Sequence, residues 1–192
     1  MFSLTAPSED TILRFIWKHR DSAFSYPEVG ASAIAPPVGY NVDHNRVQLG
    51  RGEVTWQRAK QAIRTWQMFN MPWLRLYWPN APIQVGTSVA VSIDHFGFYS
   101  LNACRIVYLV DEDGPIKRFG FAYGTLAKHA ERGEERFTVE WHRAEDAVWY
   151  DILAFSRPQS VLARLGYPLS RLLQRRFADG SKAAMLDAVS RT

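Results

Sequence analysis

Val89-Ala90-Val91-Ser92-Ile93-Asp94 decides the fold, together with Leu101–Val110, Arg118–Leu126, Glu135–His142 and Ala147–Phe155 further along the chain. In the first of these, Val89, Val91 and Ile93 alternate with Ala90, Ser92 and Asp94, the period of two that places successive side chains on opposite faces of a strand. Turn signals separate the five stretches: Phe96-Gly97, Asp111-Glu112-Asp113-Gly114, Glu131-Arg132-Gly133 and Arg143–Asp146. Strands joined by turns this short pair as an antiparallel meander.

Upstream, Asn45–Gly50 reads as a further strand. A turn at Gly50-Arg51-Gly52 leads into a helix over about Val54–Met68, with Trp56, Ala59, Ile63 and Trp66 at helical spacing. Pro72–Trp78 is a short helical or irregular piece bounded by Pro79 and Pro82. Residues 8–20 form a helix with Ser8 as N-cap, Glu9 and Asp10 in the first turn and Lys18-His19-Arg20 in the last. Between Phe24 and Tyr40, Pro27, Gly30, Pro36, Pro37 and Gly39 allow neither helix nor central strand, so this is an extended arm. Downstream, Pro158–Ser190 is helical, with a kink at Gly166-Tyr167-Pro168, a break at Asp179-Gly180, and Leu162, Leu165, Leu169, Leu172 and Leu173 as its apolar stripe.

The 192 residues suit one domain: an N-terminal helix in 1–23, the Pro-rich arm in 24–40, and a core in 41–192. A composition 47% hydrophobic and 22% charged excludes disorder, and no apolar run reaches bilayer length. The acidic N-terminus is unlike a secretory signal, and the lone Cys104 forms no intrachain disulfide, so a cytoplasmic setting is expected. Seven Trp, eight Tyr and eleven Phe require a thick core or an aromatic-lined cavity.

The net charge of +4 is localised. Residues 156–192 hold seven basic groups against Asp179 and Asp187, while the other 155 residues carry 16 basic and 17 acidic groups. A nucleic-acid-binding fold spreads its charge over a face; a basic amphipathic helix concentrates it as here. Nucleic acid is therefore not expected as a partner, whereas an anionic membrane surface is a candidate.

Strand, helix, a run of antiparallel strands and a long terminal helix is an order that resembles the helix-grip fold of the START and birch-pollen-allergen (SRPBCC) superfamily. The expected fold is α+β: a curved antiparallel sheet of about six to seven strands wrapped around a long C-terminal helix. Specific stretches resemble the DUF1990 family: Tyr26-Pro27-Glu28-Val29-Gly30-Ala31, Arg105-Ile106-Val107-Tyr108, Phe121-Ala122-Tyr123-Gly124-Thr125-Leu126, Gly133-Glu134-Glu135-Arg136-Phe137 and Ala154-Phe155-Ser156-Arg157-Pro158. The resemblance runs from about residue 26 to 186. It implies the helix-grip fold, whose sheet and helix commonly enclose a cavity for an apolar ligand, and it implies no agreed activity.

The polar candidates are few. His129 with Glu134 and Glu135 could act as an acid–base pair, although Glu131-Arg132-Gly133 makes a solvated hairpin loop the plainer reading. Asp94 and His95 are adjacent on a strand and point to opposite faces, and no HxH, HExxH or cysteine pair occurs, so no metal and no cofactor are expected. Arg105 and Asp151 lie inside apolar strands; on a shared concave face they could pair and orient a polar head, while outward display is the default. Tyr108, Phe121, Tyr123, Phe137, Trp141 and Phe155 are strand aromatics that build the core or line a cavity.

The expectation is therefore a binder of a hydrophobic small molecule or lipid between the sheet and the helix Gln159–Phe177. Arg105, Tyr108, Phe121, Tyr123, Phe137, Trp141 and Phe155 are its candidate ligand-binding residues. The alternatives are a cyclase- or hydrolase-like enzyme on the same scaffold, using His129, Glu134, Asp94 or Asp151, and a peripheral membrane or interaction module using the basic helix.

Overall fold

The computed structural model describes residues 2–78, 80–95, 97–127, 131–159 and 167–191. The strands are β1 (Phe2–Ser3), β2 (Asn41–Arg51), β3 (Leu74–Tyr77), β4 (Ser88–Asp94), β5 (Tyr99–Glu112), β6 (Ile116–Thr125), β7 (Glu131–His142) and β8 (Ala147–Pro158), the period-two stretches being β4 to β8. Among the described residues three α-helices accompany them: α1 (Glu9–His19), α2 (Gly52–Arg64) and α3 (Tyr167–Ser190). The sheet order is β2-β8-β7-β6-β5-β4-β3, antiparallel throughout, with the short β1 added against β5. This is the helix-grip α+β architecture, a curled antiparallel sheet closing on the C-terminal helix.

Close backbone approaches and bulges mark the curl. A Cβ on Gly120 would stand 2.0 Å from the Phe137 carbonyl oxygen, and one on Gly133 would stand 1.9 Å from that of Phe155. Only glycine lets β7 pass so near β6 and β8 so near β7. Register shifts between Gln48 and Gly50 and between Ile106 and Tyr108 add local bends.

Both faces of the sheet are covered. On the concave side, α2, α3 and a 3₁₀ turn over Gln67–Phe69 bury a core that includes Trp56, Ile63, Phe69, Phe121, Phe137, Tyr150, Ile152 and Met185. On the convex side, Ile12 of α1 packs on Ala90 and Leu101. The 24–40 arm buries Tyr26 and Ser32 on the same side.

Several elements differ from the sequence reading, each for a local reason. Pro72–Trp78 contains β3, a four-residue edge strand paired with β4. Glu131-Arg132-Gly133 belongs to β7, because Gly133 is needed for close approach to β8 and does not mark a turn. Pro158 ends β8 and does not open a helix. Helix α2 stops at Arg64; Trp66 then takes a left-handed conformation (φ 56°), with its indole N–H 2.9 Å from the Ala81 carbonyl.

Helix α3 runs unbroken through Asp179-Gly180, where a Cβ on Gly180 would meet the Met71 sulfur at 2.5 Å. That glycine serves packing. The gripping face of α3 is Leu173, Phe177, Ala178, Ser181, Met185 and Val189, whereas Leu169 and Leu172 are exposed. Leu162, Leu165 and Gly166 lie outside the described residues. None of the helices among the described residues is long and apolar enough to cross a membrane.

Candidate functional site

Between the concave face and the first half of α3 lies a cavity of about 660 Å³, within the size range of small-molecule sites. Its apolar wall comes from four places: Phe69 and Trp73 after α2, Val91 and Ile93 on β4, Ile152 and Ala154 on β8, and Leu173 and Phe177 on α3. Period two brings these strand residues to one face, and helical spacing aligns Leu173 with Phe177.

Polar groups interrupt the wall at definite points. Tyr123 Oη on β6 donates to a Glu135 carboxylate oxygen on β7 at 3.0 Å, and the two residues are register partners. Burial drives the Glu135 carboxyl up to about 7, although the Tyr123 hydrogen bond works the other way and the Asp43 charge adds to the rise. Burial likewise pushes the Tyr123 phenol well above its ordinary value. At the mouth, Arg171 of α3 grips Asp43 of β2 through both guanidinium nitrogens, at 2.5 and 2.6 Å. Gln174 donates to Ser156 Oγ at 2.9 Å, and Ser170 donates to Glu131 at 2.5 Å.

On the opposite wall, His95 Nε2 lies 2.7 Å from Ser100 Oγ, which also accepts from Asn102 at 3.0 Å. Burial lowers the His95 pKa, favouring the neutral ring. Cys104 lines the cavity between these polar groups, and burial raises its thiol pKa well above the ordinary value, so it is protonated and apolar in character.

The residues singled out from sequence are distributed over both faces. Tyr123 and Phe155 belong to the cavity wall, though the Phe155 ring packs edge-on against Tyr26 and Tyr40 of the arm, at 5.7 and 5.1 Å. Phe121 and Phe137 are fully buried in the core beside the cavity. Trp141 packs on Trp56, with its indole N–H on Asp146, away from the cavity. Tyr108 is on the convex face, 2.7 Å from Ser32 Oγ. Arg105 reaches Ser88 and the Arg20 carbonyl and lies over Phe24.

Asp151 is on the convex face too, but paired with His44 at 2.6 Å and Arg136 at 3.4 Å rather than with Arg105. Asp94 accepts from the Gly97 backbone N–H and shapes its turn. Glu134 holds the arm, accepting from Tyr26 Oη and Gly30 N–H at 2.7 Å each, from Ser32 N–H at 3.0 Å, and from Ser32 Oγ. His129 lies outside the described residues. Among the described residues no group of His, Cys, Asp and Glu is arranged to hold a metal ion.

Sequence reasoning passed over Asp43, His95, Asn102, Leu173 and Phe177 as cavity residues. The available signal was polar residues at period two, Asp43-x-Asn45 on β2 and Ser100-x-Asn102-x-Cys104 on β5, each facing inward where an unbroken core would be apolar. The basic C-terminal charge is partly neutralised internally: Arg171 pairs with Asp43, Lys182 with Asp179 at 3.0 Å, and Arg191 with Asp187. Arg157 and Arg176 lie over Tyr40 and Trp73, at 4.3 and 4.7 Å.

Comparison with known proteins gives the relationship. A UPF0548 protein of Dictyostelium discoideum is 39% identical over 208 residues, covering 98% of this chain and 96% of that protein. A UPF0548 protein of Deinococcus radiodurans is 39% identical over 189 residues, covering 93% of each. A crystal structure of a hypothetical protein from Helicobacter pylori has a TM-score of 0.54 at 18% identity, covering 87% of this chain and 94% of that one, a likeness of fold alone. The model of the domain of unknown function DUF1990 matches residues 25–184, and with these two relatives it shows that the chain belongs to the DUF1990, or UPF0548, family.

Proposed function

We propose that the protein binds a hydrophobic small molecule in the cavity between the concave sheet and α3. The observation that carries this reading is the cavity itself, about 660 Å³ walled by Phe69, Trp73, Val91, Ile93, Leu173 and Phe177. A space of that size left inside an aromatic-rich core forgoes packing that larger side chains would supply, which is sensible where a ligand supplies it. A ligand burying on the order of 300 Å² of apolar surface there would gain about 7 kcal/mol before association costs. The helix-grip resemblance supports the same reading by analogy.

Native mass spectrometry of freshly purified protein, followed by organic extraction, tests it. The expected result is a stoichiometric apolar passenger that is lost in Leu173→Trp, where an indole occupies the cavity. A protein that is empty, and whose melting temperature is unmoved by a panel of apolar amines, alcohols and acids, overturns it.

A second reading, proton-transfer catalysis in the same cavity, is favoured by one observation: the Glu135 carboxyl, at about 7, is poised to exchange a proton near neutral pH beside Tyr123. Its test is turnover of a bound passenger by wild type and not by Glu135→Gln.

A further inference from the structure

The charge of the cavity wall narrows what it can hold. Among the described residues that line it there is no lysine and no arginine, while Asp43, Glu131, Glu134 and Glu135 all contribute, Glu134 being taken up by its hydrogen bonds to the arm. Two of these acids are engaged from α3: Asp43 by Arg171, and Glu131 by the Ser170 hydroxyl. Glu135 is different. The contact made to its carboxylate is the neutral Tyr123 hydroxyl at 3.0 Å. Around it stand Asp43 and Asn45 from β2, Ser156 from β8, Thr125 from β6 and the neutral-leaning His95 across the cavity, none of them a cation. The nearby rings are Tyr123, Phe69 and Phe177, with Phe69 centred 6.0 Å from Tyr123 and 5.6 Å from Phe177.

A carboxylate removed from water without a counter-cation is costly, and a ligand that brings the cation relieves the cost. Aromatic faces beside it add attraction for an ammonium and none for a carboxylate. Resting on the cavity reading above, we propose that the ligand is a cationic amphiphile, an apolar molecule with a protonated amine whose ammonium seats on the Glu135 carboxylate. An alcohol of the same length gains the burial without the ion pair. A fatty acid brings a second anion to a wall that already carries acids.

A chain-matched series tests this by calorimetry at pH 8: octylamine, octanol and octanoate, against wild type and Glu135→Gln. On wild type, octylamine is expected to bind at least about tenfold more tightly than octanol, with octanoate weakest. In Glu135→Gln the amine advantage collapses, while octanol affinity stays within about twofold, which also shows that the variant is folded. Octanol or octanoate binding wild type as tightly as octylamine overturns the charge class and leaves the cavity reading standing. An amine advantage that persists in Glu135→Gln overturns the assignment to Glu135. If none of the three binds wild type, the cavity reading and the amine proposal fall together.

Discussion

Glu134 and Glu135 are consecutive on β7, and their carboxylates stand on opposite faces of the sheet: the first clamps the Pro-rich arm, the second meets Tyr123 in the cavity. A single residue step along the strand, half its period, thus separates a structural acid from one placed for a ligand. Glu134 accepts from two backbone N–H groups and two hydroxyls and is 3% exposed, so its hydrogen-bonding capacity is nearly filled.

Glu134→Ala should therefore be severe. It leaves the Gly30 and Ser32 N–H groups and the Tyr26 hydroxyl without their acceptor, and should cost about 3–5 kcal/mol. Urea unfolding measures the loss, and hydrogen exchange should localise early opening to residues 24–34. A midpoint close to wild type would show that the arm is held by its apolar contacts instead.

The meander was legible because its period survives: Val89-x-Val91 and Phe121-x-Tyr123 alternate over long stretches, and Gly97 and Gly114 mark real turns. Which face is concave was not legible, since the arm and α1 bury the convex face as well. Tyr108, half-buried against the arm, consequently reads in sequence like the fully buried Phe121 and Phe137 of the concave face. Leu74–Tyr77 is too short to show a period between flanking prolines, and its strand character comes from pairing with β4. The cavity depends on which long-range neighbours meet, such as Asp43 with Arg171 across 128 positions, and no local pattern encodes that.

Stability should carry the signature of Glu135 in its pH dependence. Burial raises its carboxyl from 4.5 to about 7, so the folded state holds the proton more tightly than the unfolded chain. That contribution is full below about pH 4.3 and is lost as pH rises toward and through 7, a swing of roughly 3 kcal/mol. Glu135→Gln mimics the protonated acid at every pH. It should match wild type near pH 4 and exceed it by about 2–3 kcal/mol at pH 8, read from paired denaturation curves. A constant difference between the two proteins across that window would contradict the burial of Glu135.

Gly120→Ala should disturb the sheet more than its single methyl suggests. The new Cβ points at backbone, 2.0 Å from the Phe137 oxygen and 2.8 Å from Thr138 Cα, and neither can rotate aside. β6 and β7 must separate there, at a cost of about 3 kcal/mol or more. Thermal unfolding measures it, and amide protection should fall at Gly120 and Thr138, which are register partners. A shift under about 1 kcal/mol would mean the strands relax without losing their ladder.

Asp43→Asn tests whether the cavity acids form one electrostatic unit. The Asp43 charge contributes to holding the Glu135 proton on, so removing it should lower the Glu135 titration midpoint below its value near 7, burial remaining the main cause of the rise. The same substitution turns the two-pronged Arg171 ion pair into a neutral hydrogen bond and should destabilise the protein by about 1–2 kcal/mol at pH 7. Carbon-detected NMR of the Glu135 carboxyl follows the titration, and denaturation follows the stability. A Glu135 midpoint that does not move would show that Arg171 already screens Asp43 from the cavity.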